Sequence, residues 1–442
     1  MTLYKQSIEN TLHYTLEQIQ KEYPSAEAAI SASQDHGLLT SVRLGKTDAI
    51  EHSQNNHLEI TLYNGHQKGL VTTNNFSQTS INEAIQKAWS IAHYTSSDTY
   101  NGLPEKSLLA SNIPELDLYH PWKALDTSLA LSIATECEAI ALQNSKISNS
   151  EGCSVESYDG TVGYANTQGF LHSYNTSSHS IGLSLIAEQA GHMQRDSEYT
   201  TSRIHTNLED ITSLAEKAVD KTLKKLGAQR PKTGHYPVIF TPQMSRTLIS
   251  ALFTAISGTS QYKKNTFLLN QLHQPIFPEW LSITETPHLL QEIGSRPYDD
   301  EGVQLHLNPI IKQGALSRYL LSSYSAKKLG LTSTGNAGGI SNITLTNSGL
   351  SFNELAQKMG NGILVTEMMG QGTNITNGNY SRGASGFYIE NGVIQHALEE
   401  FTVAGNLKEM FQNIIAIGND VDLRSSIQTG SILVDNLMVA GS

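Results

Sequence analysis

Cysteine is almost missing from this chain. Only Cys137 and Cys153 occur among 442 residues, so no disulfide scaffold is implied and a four-cysteine zinc site is impossible. Cys137 falls in an apolar helical pattern, which predicts a buried thiol. Charge is sparse as well. Charged residues make up 16%, and 41 acidic against 29 basic side chains leave a net charge of −12. Such a surface repels a polyanion on average, and Lys224–Lys225 and Lys263–Lys264 are isolated pairs. A nucleic-acid partner is therefore not expected. No run of about 18 apolar residues exists to span a bilayer. The first ten residues are polar from the start and carry no signal-peptide pattern. These absences predict a cytoplasmic protein with no membrane association.

What is present suits a large α+β chain. Hydrophobic residues reach 38% and glycines number 34, enough apolar material for a core and many turns. The length calls for two domains, an N-terminal α/β sandwich-like one over 1–229 and a C-terminal strand-rich one over 230–442. The boundary is set by the proline- and glycine-broken stretch Arg230–Pro237. Ile8, Leu12, Leu16 and Ile19 form one face of an opening helix. A strand is expected over Leu38–Leu44. The Asn64-Gly65 pair between two alternating runs predicts a hairpin with a tight turn. Helices are expected after a Ser80 cap, over about Asp126–Leu142, and from an Asn207 cap to a Gly227 stop. A β-meander is expected over Ile147–Gln189. Beyond the boundary, Thr241 and Pro242 open a helix carrying Leu248, Ile249, Leu252, Phe253 and Ile256. Shorter helices are expected near Ser323–Leu329 and Phe352–Met359.

Sixteen histidines invite a metal site, but none lies four residues from another, as a His-Glu-x-x-His zinc helix requires. The closest pair is His52 and His57. Five residues on a helix turn the rings about 140° apart, Ser53 stands where a glutamate is wanted, and the segment reads as a polar turn. Nucleophile and phosphate signatures fail too. Gly383-Ala-Ser-Gly386 is one residue short of a nucleophile elbow, and Gly370-Gln-Gly372 is not completed as a dinucleotide fingerprint. Asp299-Asp-Glu301 reads as a solvated turn ended by Gly302. Glu399-Glu400 lies in an alternating run, so one of the two points inward and needs a partner such as an arginine. No catalytic or metal-binding residue is assigned.

The most unusual stretch runs from Leu364 to Gly392. A strand delivers a glycine-dense loop and a second strand carries it away. Such a loop brings backbone amides close to whatever lies opposite. The alternative is a glycine-rich corner without a ligand. Gly370, Gln371, Gly372, Asn379, Tyr380, Ser381 and Arg382 are the candidates for contact with substrate or partner, with Tyr380 and Arg382 best suited to anchor it.

Taken together, several segments carry a family resemblance. They are Arg296-Pro-Tyr-Asp-Asp-Glu-Gly-Val303, Tyr324-Ser-Ala-Lys-Lys-Leu-Gly-Leu331, Ser333-Thr-Gly-Asn-Ala-Gly-Gly339 and Met368-Met-Gly-Gln-Gly372. Asn379-Tyr-Ser-Arg-Gly-Ala384, Glu400-Phe-Thr-Val-Ala-Gly-Asn-Leu407, Gly418-Asn-Asp420 and Thr429-Gly-Ser-Ile-Leu433 complete the set. The chain resembles the TldD/PmbA family, on its PmbA (TldE) side. The resemblance implies a two-domain α+β fold and a cytosolic metallopeptidase acting on unfolded or small peptides. It also implies an assembly with a TldD-like homologous subunit, or a homodimer. In the TldD branch a His-Glu-x-x-x-His helix and a distant cysteine hold zinc. That spacing equals the one between His52 and His57, so helical rotation alone does not decide the matter. The missing glutamate and the place in the chain count against a site there. The helix that corresponds here, Leu248–Gly258, has no His, Cys or Glu. No cofactor is therefore expected in this chain, and zinc is expected in the partner. The rival expectations are a peptide- or partner-binding adaptor, given the family's link to gyrase control, and a homodimeric hydrolase with dispersed ligands.

Overall fold

The apolar spacing of Ile8, Leu12 and Ile19 makes an amphipathic helix, α1 (Leu3–Glu22), whose three named side chains are fully buried. The structure, a computed structural model, describes residues 3–441. Helix α1 leads into β1 (Glu27–Arg43), β2 (Lys46–Asn64), β3 (Gln67–Thr73) and α2 (Gln78–Tyr94). A long connection follows, then α3 (Thr127–Leu142), β4 (Ile147–Asn166), β5 (Leu171–Gln189), β6 (His192–Ser202) and α4 (Ile211–Lys224). The six strands form one antiparallel sheet in the order β3-β2-β1-β4-β5-β6.

Register explains how the helices are held. Ala28, Ile30 and Ala32 of β1 lie opposite Leu62, Ile60 and Leu58 of β2, so all six share one face. Helices α1 and α2 pack on this end. Further along the same face, Leu38, Val42, Val155, Ile181 and Leu183 meet α3 and α4. Both thiols, Cys137 and Cys153, are buried in this second cluster. On the opposite face, Ala29, Tyr164, Phe170 and Tyr174 gather with Tyr298 from the C-terminal part.

Three expectations are corrected here. The strand expected at Leu38–Leu44 starts at Glu27. The polar His52–His57 stretch is strand rather than turn, with His52 opposite Leu38 and His57 opposite Ser33. Residues 46–57 are mostly exposed, so the backbone ladder rather than apolar alternation holds them. Residues five apart on a strand also face opposite ways, so these two imidazoles diverge. The caps shift as well. Ser77, not Ser80, caps α2, and the Ser80 N–H donates to its hydroxyl. Asp210, not Asn207, caps α4 by accepting the Thr212 and Ser213 N–H groups.

The second half opens with β7 (Gly234–Phe240), α5 (Pro242–Ala255) and α6 (Gly258–Tyr262). Next come β8 (Ile283–Glu285), β9 (Asn308–Lys312), β10 (Ala315–Leu316), α7 (Ser323–Leu329), β11 (Ile343–Leu345) and α8 (Phe352–Met359). The chain continues through β12 (Gly362–Met369), β13 (Asn379–Glu390), β14 (Val393–Asn406), α9 (Leu407–Gln412), β15 (Ile414–Ile417), β16 (Ile427–Gln428) and β17 (Ile432–Ala440). A small sheet has the order β10-β9-β8-β11-β16. The larger one runs β14-β13-β12-β7-β17-β15, and β14 also pairs with β17 through Thr402–Ala404, which closes the strands into a barrel. Val238, Phe240, Ile363, Val365 and Ile432 join the buried face of α5 in the largest core cluster. Among the described residues, no helix is long and apolar enough to cross a membrane.

Candidate functional site

Helix α5 buries Leu248, Ile249, Leu252 and Phe253 against the barrel, which leaves Ser250 and Thr254 exposed one turn apart. They border a groove of about 480 Å³. Ser257 and Gly258 continue this wall, Ser322 and Ser325 come from the start of α7, and the loop Asn336–Ile340 forms the far side. Gly258 is required by close approach, since a Cβ there would meet the Ser325 Oγ at 2.2 Å.

The loop is held from below by buried charge. Asp299 is 1% exposed. Its carboxylate accepts N–H groups from Glu301 at 2.9 Å, Val303 at 2.8 Å and Ala337 at 3.0 Å. Burial, reinforced by nearby Glu301, outweighs these hydrogen bonds and pushes the Asp299 pKa up to about 7. Arg296 donates to the carbonyls of Ala337 and Gly339. Asn336 donates to the buried carboxylate of Glu285, which also accepts the Ser341 N–H at 2.8 Å and pairs with Arg318. The Asp299–Glu301 stretch is thus no solvated turn, because its first carboxylate organises the neighbouring loop. The Gly338 and Ile340 N–H groups have no hydrogen-bond acceptor among the described residues.

These donors suit a neutral main chain and not a metal. The groove offers hydroxyls, amides and backbone but no imidazole, thiolate or carboxylate, whereas zinc takes His, Cys or acidic ligands. No group of three or more His, Cys, Asp or Glu among the described residues could hold a metal ion.

The residues singled out from sequence lie elsewhere, in the hairpin joining β12 to β13. Gly370, Gln371, Asn379 and Ser381 are exposed, and Gly372 and Arg382 are half-buried. Tyr380 is 3% exposed, with its hydroxyl directed to the Met368 sulfur at 2.7 Å. It belongs to the core and is no surface anchor, because strand alternation turns it inward beside Ala384. Gly372 is needed for hairpin closure, since a Cβ would lie 1.5 Å from the Ser381 carbonyl oxygen. None of these residues borders the groove. The expected inward glutamate with an arginine is also revised. Glu400, exposed, pairs with Arg230, and half-buried Glu399 pairs with Gln194. Ser250, Thr254 and Asn336 escaped the sequence reading, because hydroxyls and amides at helix ends carry no spacing signature. The available signal was the pairing of Arg296–Val303 with Ser333–Gly339, which the fold interlocks.

Three domain models of the PmbA/TldA metallopeptidases match the chain: domain 1 over residues 28–92, the central domain over 120–226 and the C-terminal domain over 233–441. The metalloprotease PmbA of Escherichia coli O157:H7 is 41% identical over 435 residues, covering 98% of this chain and 96% of its own. The PmbA homologue of Haemophilus influenzae is 40% identical over 440 residues, covering 99% and 97%. In three dimensions, a Bacteroides thetaiotaomicron protein named as a proposed modulator of DNA gyrase superposes with a TM-score of 0.90 at 25% identity, covering 99% of both chains. TldE of Thermococcus kodakarensis shares the fold, with a TM-score of 0.84 at 22% identity, covering 98% of this chain and all of that one. With 40% identity across nearly its whole length to relatives that carry the PmbA name, this chain belongs to the PmbA/TldD metallopeptidase family.

Proposed function

We propose that this chain is the metal-free subunit of a cytoplasmic peptidase assembly, paired with a TldD-like homologous subunit that carries the zinc. The reading is supported by one observation above others: the groove at the end of α5 is lined by neutral groups throughout, with hydroxyls, an amide and backbone beside Phe253, Leu320 and Ile340. Unfolded or small peptides are the substrates. Their main chain hydrogen-bonds to the Gly338 and Ile340 N–H groups and to the hydroxyls of Ser250, Thr254 and Ser322, in the manner of strand addition. The buried carboxylates of Asp299 and Glu285 keep the loop in place, so little ordering entropy is lost on binding. The zinc supplies the Lewis acid and the activated water within the partner. This chain holds and orients the peptide.

The test is to purify the chain alone and with a TldD-like homologue, measure bound zinc, and follow cleavage of an unstructured peptide. Cleavage appears only when both chains are present, and the zinc travels with the partner. Chelator-sensitive cleavage by the lone chain, with one zinc bound per chain, would overturn the proposal. The second reading is an adaptor without a protease role, favoured by the name carried by the Bacteroides structure. It predicts capture of a partner with no cleavage in either preparation.

A further inference from the structure

A second cleft, which shares no lining residue with the groove, lies between α4 and the outer surface of the barrel and encloses about 750 Å³, within the range of about 300–1,000 Å³ typical of ligand sites. Its floor is apolar. Leu364 and Phe387 are buried there, while Ile394 and Leu423 stand 43% and 59% exposed at its mouth. Among these apolar groups, the buried hydroxyl of Thr366 has no hydrogen-bond partner among the described residues. An unmet buried hydroxyl carries an uncompensated desolvation cost, which a bound main-chain group would offset.

The rim is charged, yet its charges are already spoken for. Lys217 pairs with Glu209, Lys221 with Glu198, Lys224 with Asp220 and Arg424 with Asp422. Asp196 pairs with Lys225, and Asp420 accepts both the N–H and the hydroxyl of Ser431. A charged ligand would have to break one of these pairs. A neutral one need not.

We propose that this cleft binds a neutral peptide segment bearing a bulky aliphatic or aromatic residue, with the side chain on the Leu364–Phe387 floor and a main-chain group on the Thr366 hydroxyl. It is a second peptide site, and its occupancy does not depend on the groove at α5 or on any protease role. The experiment uses the full chain and fluorescently labelled hexapeptides with blocked ends, one rich in Leu and Phe and one of Gly and Ser. The apolar peptide binds at least tenfold more tightly. Ile394→Asp weakens it at least tenfold and Thr366→Val several-fold. Ser250→Arg, which obstructs the groove at α5, lowers whatever main-chain binding the two peptides share there and leaves the tenfold preference for the apolar one intact. Leu423→Gln, at a more exposed position, repeats the reading should Ile394→Asp fold poorly. Equal affinity for the two peptides, or indifference to both mouth substitutions, overturns the proposal. Loss of that preference in Ser250→Arg alone assigns it to the groove and likewise overturns the proposal.

Discussion

The carboxylate of Asp299 accepts the backbone N–H of Ala337 at 3.0 Å, tying two loops that lie far apart in sequence into one support beneath the groove. Asp299→Asn keeps the shape but presents an amide NH₂ where an acceptor is needed. With a backbone donor left unmet, we expect a loss of about 1–3 kcal/mol, read as a lower denaturant midpoint with an unchanged slope.

The same residue has a pH signature. Its folded pKa is raised to about 7 from an ordinary 3.8, with burial the main cause. The fold therefore favours the protonated form. The stabilising contribution is complete below the unfolded value and is lost as pH rises through the interval up to about 7. Chemical denaturation at pH 5 and pH 8 checks this, since the wild-type midpoint falls over that interval by an amount the Asp299→Asn variant does not show.

Gly338 has φ +79° and a Cβ there would meet the Asp300 carboxylate at 2.0 Å. Gly338→Ala should cost about 1–3 kcal/mol through backbone strain plus displacement of Asp300. Adding Asp300→Ala relieves the clash but not the strain, so thermal unfolding of the double variant recovers only part of the loss.

Arg424 joins the N-terminal sheet to the barrel, because its guanidinium reaches Glu198 on β6 and Asp422. Glu198 is 4% exposed. Arg424→Met leaves it with Lys221 and the Tyr199 N–H, and we expect a loss of about 2–3 kcal/mol, below the full cost of orphaning a buried charge. Despite their burial, the pairing cations hold Glu198 and Asp422 below the usual carboxylate range. Their contribution is present above the unfolded values near 4 and is lost as pH falls through the folded ones. The acid limb of the stability profile is therefore shallower in the variant.

Tyr380→Phe should leave peptide binding unchanged and stability within about 1 kcal/mol, as the hydroxyl gives up only a contact to the Met368 sulfur and an interaction with half-buried Arg382. Tyr380→Ala should cost about 3–5 kcal/mol through the cavity it leaves. Calorimetry on both variants separates a core role from an anchoring one.

The elements readable from sequence are those whose ends carry local chemistry. Helix α8 starts at Ser351 with a full capping box to Glu354, and α7 stops at Gly330 in the left-handed region. Both matched their expected spans. The long polar half of β2 was not readable, because neither of its faces is covered and no alternation marks it. The site was less legible still. A glycine-dense loop suggested a ligand, yet at Gly372 the glycine serves the close crossing of its own hairpin. The groove residues come from a helix end, a helix start and a loop, and only tertiary packing brings Ser250 and Asn336 to one place.

The strand order of the barrel bears on biosynthesis. Strand β17 lies beside β7 through pairs such as Leu433 with Ile239, yet it leaves the ribosome about 190 residues later. The N-terminal sheet, whose neighbouring strands are mostly consecutive hairpins, can form while translation continues. The barrel must wait for its final staves. During that interval β7 and β12 expose an unfilled, apolar seam, and this half of the nascent chain is where chaperones should engage.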